Sequence, residues 1–147
     1  MAGTVPLISS GVAGPLGVVH LPRLWSKVLL SAKGQLHEEY DECGPGFDQM
    51  VLDGLKLDRE ATLRFLKEHL PTYPQFEHWV LAQKGGRVSD DELAAVNAAI
   101  RGYEPSDATR QRILAAAGMK DTGRFKDGVM LNNLEDWTEF HAALTSA

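Results

Sequence analysis

The densest gathering of reactive side chains is the run His37-Glu38-Glu39-Tyr40-Asp41-Glu42-Cys43, bounded by glycines at Gly34 and Gly44. General acid–base catalysis needs a proton donor and an acceptor with separated pKa values facing one cavity. Tyr40, Asp41 and the nearby Asp48 are candidates for that pair, joined by His20 if the segment after it folds back onto this loop. Cys43 is a further catalytic candidate, as a nucleophile. It would need a thiol pKa lowered by an imidazole or a cation, for which His20, His37 and Arg23 are the local sources. Against these readings stand plainer ones: a charge-rich turn facing water, and a cysteine that is a small buried filler. A metal reading would use His37, Asp41 and Cys43, but neither a His-x-x-x-His nor a Cys-x-x-Cys spacing is present, so no metal and no cofactor is assigned.

Four residues are candidates for holding a substrate: Arg23, His20, Trp25 and Asn97. Arg23 follows the proline at the start of a helix and would grip a carboxylate or phosphate bidentately; its alternative is an ion pair with Asp48 or Asp53. Trp25 is either an aromatic pocket wall or core packing. Asn97 falls four residues after Leu93 on an apolar helix face, where its amide must find partners at a cost of about 1–3 kcal/mol if it fails. An irregular backbone turn, in the N-terminal segment or the Tyr40 loop, would supply them.

These side chains must be positioned by helices. Leu21, Leu24, Trp25, Val28 and Leu29 follow helical spacing, with Pro22 in the first turn and Gly34 as the stop. Phe47, Met50, Val51 and Leu55 mark a short helix ending near Gly54. Asp58 caps the next, whose Leu63, Leu66 and Leu70 share a face up to Pro71. Thr72 with Gln75 and Ser89 with Glu92 both fit capping boxes. The first opens a helix burying Phe76, Trp79 and Val80; the second, one burying Leu93, Val96 and Ile100. Pro105 and Ser106 open another helix through Ile113 and Leu114 to Gly118. Residues 119–132 read as a loop with a short extended piece at Val129–Leu131, before a last helix with Leu134, Trp137, His141 and Leu144 on its packed face. Residues 1–19, rich in Gly, Pro and Ser, read as an extended arm lying on the domain. The sum is an all-α, mainly helical fold: a compact single domain of six or seven short helices over residues 1–147.

Composition sets the outer bounds. The 147 residues, 44% hydrophobic, suffice for one core and not for two. A net charge of −5 argues against a nucleic-acid binder, including a helix-turn-helix reader built from 90–118. The charge is uneven: Gln35–Glu60 carries eight acids against two basic residues, and Arg101–Lys126 six basic residues against three acids. The single cysteine allows no internal disulfide, no stretch reaches the ~20 apolar residues of a membrane span, and no basic segment precedes the apolar N-terminus. A cytoplasmic location is expected, with neither nucleic acid nor membrane as partner.

Several strings together carry a resemblance: Gly17 to Arg23 running into Leu-Pro-Arg, Gly34 followed by Tyr40, then Cys43, Asp48-Gln49, and Ser89 to Asn97. Over roughly Leu16–Gly102 the sequence resembles the bacterial domain-of-unknown-function family 5069. Here Cys43 and Asp48 are separated by two residues more than in the family's usual string. The resemblance implies a small helical bacterial protein, directs attention to Arg23, Tyr40, Cys43 and Asp48, and implies no activity.

Two functional readings follow. The favoured one is a small cofactor-independent isomerase, lyase or hydrolase using acid–base catalysis in a polar pocket, with an anionic or carbonyl-bearing small-molecule substrate. The other is a non-catalytic interaction or regulatory module, able to form a homodimer, in which the acidic and basic surfaces face partners or each other.

Overall fold

The structure, a computed structural model, describes residues 3–146. Among these are seven helices: α1 (Leu21–Ala32), α2 (Phe47–Gly54), α3 (Arg59–His69), α4 (Tyr73–Gln83), α5 (Asp90–Gly102), α6 (Asp107–Ala116) and α7 (Gly128–Thr145). The fold is all-α. Its only β-type pairings among the described residues are the isolated bridges Thr4–Leu36 and Ala13–Val19.

The helix starts follow local chemistry. Asp58 accepts from the Ala61 amide. Thr72 and Gln75 complete both bonds of their capping box. Ser89 accepts from the Glu92 amide, but the Glu92 carboxylate takes the ammonium of Lys84 at 2.9 Å instead of returning to the cap, so that box is half formed. A full charge within reach outbids a backbone amide that water can satisfy.

The main core joins α1 through α5. Leu21, Leu24 and Val28 of α1 meet Val51 and Leu52 of α2, Leu66 of α3, Phe76 and Val80 of α4, and Val96 and Ile100 of α5, all buried. Ile113 and Leu114 of α6 form a separate small cluster with Leu131 of α7. The N-terminal segment does not simply lie on the surface as an arm would. Its described part is irregular and enters the core, with Val18, Val19 and Ser10 fully buried; Met1 and Ala2 lie outside the described residues.

Three expectations are corrected. Leu70 leaves α3 in the left-handed conformation (φ 44°), which turns its side chain out of the Leu63–Leu66 stripe into solvent. Residues 128–132 are helical, not loop or extended. Asp127 caps α7 by accepting from the Met130 amide at 2.9 Å, and Gly128 fits because a β-carbon there would stand 2.8 Å from Phe47 and 3.0 Å from Tyr103. Finally, α7 is rotated from the expected orientation: Leu131 and Asp136 are buried, and of the four residues expected on the packed face Leu134 is half-buried against the Ile113–Leu114–Leu131 cluster while Trp137, His141 and Leu144 face outward. An ion pair described below pulls Asp136 inward, and the apolar stripe goes with the opposite face.

Helices α2 and α5 approach most closely at Gly54, where an added β-carbon would lie 2.5 Å from Val96 Cγ2 and 2.9 Å from Val96 Cβ. Gly54→Ala is expected to cost about 1–3 kcal/mol by forcing the pair apart. Urea denaturation measures it; an unchanged midpoint would contradict this contact.

Candidate functional site

Helix α1 places three basic side chains on one buried face. His20, at its N-cap, is followed at helical spacing by Arg23 and Lys27, and all three are buried. His20 adopts the left-handed region (φ 71°). That conformation costs a non-glycine residue on the order of 1–2 kcal/mol, so the ring contacts must hold it.

Two bonds do so. Imidazole Nε2 lies 2.6 Å from Asp48 Oδ1, and Nδ1 lies 3.0 Å from Ser10 Oγ. A carboxylate only accepts, so Nε2 carries the hydrogen and Nδ1 accepts from the Ser10 hydroxyl. Lys27 Nζ reaches Asp48 Oδ2 at 2.5 Å, and the Gly44 amide donates to the same oxygen at 2.8 Å. Burial alone would raise the Asp48 carboxyl, but the His20 bond and the Lys27 charge outweigh it and hold the pKa at about 2. Burial lowers the pKa of His20, partly opposed by Asp48, and keeps the ring neutral.

The order Ser10–His20–Asp48 matches that of a nucleophile, base and orienting acid. A hydrolase, however, needs the serine oxygen open to a carbonyl carbon, and Ser10 has no exposed surface. This arrangement is a closed chain of hydrogen bonds.

A second network surrounds Asp136. Arg23 grips it bidentately at 2.7 and 3.0 Å and donates to the carbonyls of Pro6 and Ile8 at 3.2 and 2.9 Å. The Tyr40 hydroxyl donates to Asp136 Oδ1 at 2.8 Å, and the guanidinium sits 5.9 Å from the Tyr40 ring centroid. Burial and the Asp136 charge both raise the Tyr40 pKa, so the phenol keeps its proton. Arg23 therefore pairs with Asp136, and not with Asp48 or Asp53; the Asp53 carboxylate instead accepts from Gln49.

The remaining candidates are dispersed. Asn97 accepts from the Val19 amide at 3.0 Å and donates to the Gly17 carbonyl at 2.7 Å, joining α5 to the N-terminal segment. Trp25 donates to the Pro71 carbonyl at 2.9 Å and packs edge-on against Tyr73. Cys43 is buried, its carbonyl accepts from Arg59, and burial with the nearby Asp48 charge raises its thiol pKa, the opposite of what a nucleophile needs. Asp41 is exposed. Among the described residues no three His, Cys, Asp or Glu side chains converge as a metal-binding group. Nor is any helix long and apolar enough to cross a membrane.

Sequence reasoning missed Ser10, Lys27, Glu77 and Asp136. Lys27 was detectable, four residues after Arg23 on a helix otherwise rich in leucine. Buried Glu77 accepts from the Leu16 amide and the Tyr73 hydroxyl. Asp136 had no local signal, because its partner lies 113 residues away. Beside the Tyr40–Asp136 network lies a polar pocket of about 270 Å³ lined by Glu39, Tyr40, Arg112, Glu135 and Glu139.

Acid should weaken the protein in two stages. His20 has a folded pKa below its ordinary 6.5, so the unfolded chain binds its proton first and stability falls as pH drops below about 6.5. Asp48, depressed to about 2, contributes fully above the unfolded carboxyl pKa of ~3.9 and loses that contribution as pH falls toward 2. Asp48→Asn is expected to cost about 3–5 kcal/mol at pH 7, because it strands the buried Lys27 charge, and to flatten the stability profile below pH ~4. Urea unfolding across pH 7.5 to 2.5 measures both; wild-type stability at pH 7 in the variant would contradict the assigned pairing.

Comparison with curated proteins gives no match. A family model described as a domain of unknown function, DUF5069, matches residues 9–138. The match extends the resemblance at both ends, taking in Ser10 and Asp136 and stopping short of Phe140 and Leu144. With most of its length matched, the chain belongs to the DUF5069 family of domains of unknown function.

Proposed function

We propose that the protein is a non-catalytic interaction module that binds through the outer face of α7. One observation carries this reading: among the described residues, four of the seven exposed large hydrophobics, Leu7, Trp137, Phe140 and Leu144, belong to α7 or border it. Trp137, Phe140 and Leu144 follow at i, i+3 and i+7 along one stripe, 53%, 43% and 72% exposed, and Leu7 shares a groove with Phe140 and Leu144. Scattered surface apolar residues need no explanation, but a contiguous stripe does. The polar residues that suggest chemistry support the same reading by being occupied. No fully buried side-chain N or O atom among the described residues lacks a hydrogen-bond partner.

A second reading, the acid–base enzyme, draws on the pocket beside Tyr40. Its wall sets three carboxylates against one guanidinium, and Arg112 already pairs with Glu135 at 3.1 Å. Such a pocket favours a cationic substrate over an anionic one. The Tyr40 hydroxyl, donating to Asp136, is already committed.

The two readings separate on variants recovered from the native host. Trp137→Glu combined with Leu144→Glu should retain wild-type circular dichroism and lose every specific associate of the tagged chain. Tyr40→Phe should keep its associates and lose about 1 kcal/mol of stability with the hydroxyl bond. Associates unaffected by the double substitution, together with a metabolic phenotype in Tyr40→Phe, would overturn the interaction reading in favour of the enzyme.

A further inference from the structure

His37 is buried, only 4% exposed, where the N-terminal segment, the loop before α2 and helix α7 meet. Its backbone is pinned from both sides. The amide donates to the Thr4 carbonyl at 3.0 Å, and the carbonyl accepts from the Tyr40 amide at 3.1 Å. A β-carbon on Gly3 would lie 2.9 Å from both the nitrogen and the Cα of His37, so the N-terminal segment leaves no slack on that side. The imidazole packs edge-on against the Tyr40 ring, with centroids 5.7 Å apart.

The two ring nitrogens face opposite demands. Nδ1 lies 3.1 Å from the Glu39 amide nitrogen. An amide nitrogen only donates, so Nδ1 accepts and the ring hydrogen is on Nε2. Nε2 lies 3.9 Å from Glu139 Oε2, too far for a hydrogen bond and close enough for an imidazolium to attract the carboxylate. The arrangement is that of a neutral ring. A protonated ring donates from both nitrogens, so it loses the Glu39 bond and gains a reason to take Glu139.

We infer that His37 is a proton-driven latch: its protonation releases the Glu38–Glu39 turn and draws the Glu139 side chain of α7 onto the ring, remaking the polar pocket beside Tyr40. The inference does not rest on the interaction-module reading. The hydrogen added to Nδ1 would face the Glu39 N–H head on, and a buried donor cannot be left without an acceptor. Since Thr4 and Tyr40 hold the His37 backbone, the shift falls on Glu38 and Glu39, which form an exposed turn.

The charges around the ring favour the same change. Its own loop brings Glu38, Glu39 and the Tyr40 phenol; α7 brings Glu139, with Glu135 and Asp136 beyond; residues 3–19 bring no ionisable side chain. The two guanidinium groups nearby are already matched, Arg23 by Asp136 and Arg112 by Glu135. Glu139 is therefore the carboxylate left to meet an imidazolium. Two of the three pocket carboxylates, Glu39 and Glu139, are the groups that respond. With His37 neutral, only Glu135 among the three is paired. With His37 protonated, Glu139 is paired as well and Glu39 has lost its amide tether, so acid makes the pocket less negative and weakens its hold on a cation.

Nuclear magnetic resonance of the isotopically labelled full chain from pH 8 to 5 tests this, over the range in which histidines change charge. At pH 8, long-range proton–nitrogen correlations should place the ring hydrogen on Nε2. As the ring titrates, the Glu39 amide should lose roughly five- to tenfold of its protection against exchange, the effect of one lost hydrogen bond, and the Glu139 carboxyl carbon should shift with the same midpoint. His37→Asn keeps an acceptor oxygen near the Nδ1 position and does not titrate, so its Glu39 amide should hold the same protection throughout. If circular dichroism shows that this variant loses helicity, the ring and amide midpoints of the parent chain decide alone. A hydrogen on Nδ1 at pH 8, a ring that stays neutral to pH 5, a Glu39 amide indifferent to the ring, or an unchanged Glu39 response in folded His37→Asn would each overturn the inference.

Discussion

An irregular peptide segment buried in a helical core brings amide and carbonyl groups with it, and each needs a partner that no helix supplies. Residues 3–20 impose that demand here, and the helices answer it with side chains. Arg23 of α1 takes the carbonyls of Pro6 and Ile8, Asn97 of α5 takes the Gly17 carbonyl and the Val19 amide, and Glu77 of α4 takes the Leu16 amide. His20 accepts from the Ser10 hydroxyl and donates to Asp48 of α2. Four helices are thereby tied to one irregular strip of chain, and most of the buried charge in the domain is accounted for by these ties and their counter-ions.

This changes what the polar residues mean. Arg, His, Asp, Asn and Tyr gathered near a break in the helical pattern have the composition of an active site, and the same composition serves an internal scaffold for non-regular backbone. Access and saturation separate the two. Desolvating two charges costs several kcal/mol each, which a buried pair regains only when its remaining donors and acceptors are also satisfied. The Arg23–Asp136 pair meets that condition through two carbonyls and a phenol, and the Asp48 carboxylate through an imidazole and the Gly44 amide beside the Lys27 ammonium. The Arg23–Asp136 tie also fixes the rotation of α7. With Asp136 held inside, Trp137 and Leu144 must face out, so one electrostatic contact determines which surface the molecule presents.

Much of this was legible before any coordinates. Helical spacing located α1 to α6, and the caps Asp58, Thr72 and Ser89 and the stop near Gly54 follow from local rules that tertiary context rarely overrides. The burial of Asn97 on an apolar face announced an irregular backbone partner, and Gly17 and Val19 are that partner. The failures share a cause. The inward face of α7 depends on Arg23, more than a hundred residues away, and of the apolar face expected to pack only Leu134 does so, with Trp137, His141 and Leu144 exposed. Ser10 and Lys27 escaped notice because a serine in a Gly-rich segment and a lysine on a helix are ordinarily solvated, and only the Asp48 carboxylate between them makes them otherwise. Tyr40, Asp41, Cys43 and Asp48 are neighbours in sequence whose hydrogen-bond partners differ, and spacing along the chain does not give those partners. In space Tyr40 belongs with Asp136, Asp48 with His20 and Lys27, and Asp41 with solvent.

Native-state amide hydrogen exchange in Asn97→Ala, compared with the parent, most directly tests whether these polar residues exist to hold the N-terminal segment. Losing the side chain deprives the Val19 amide and the Gly17 carbonyl of their partners while leaving the α1 hydrogen-bond ladder untouched. The expected result is faster exchange concentrated at Val19 and its neighbours, by a factor of ten or more for a loss of about 1.4 kcal/mol or greater, with the α1 amides slowed or quickened only in step with global stability. Unchanged protection at Val19 would contradict that role and would leave the buried polar network free for another one.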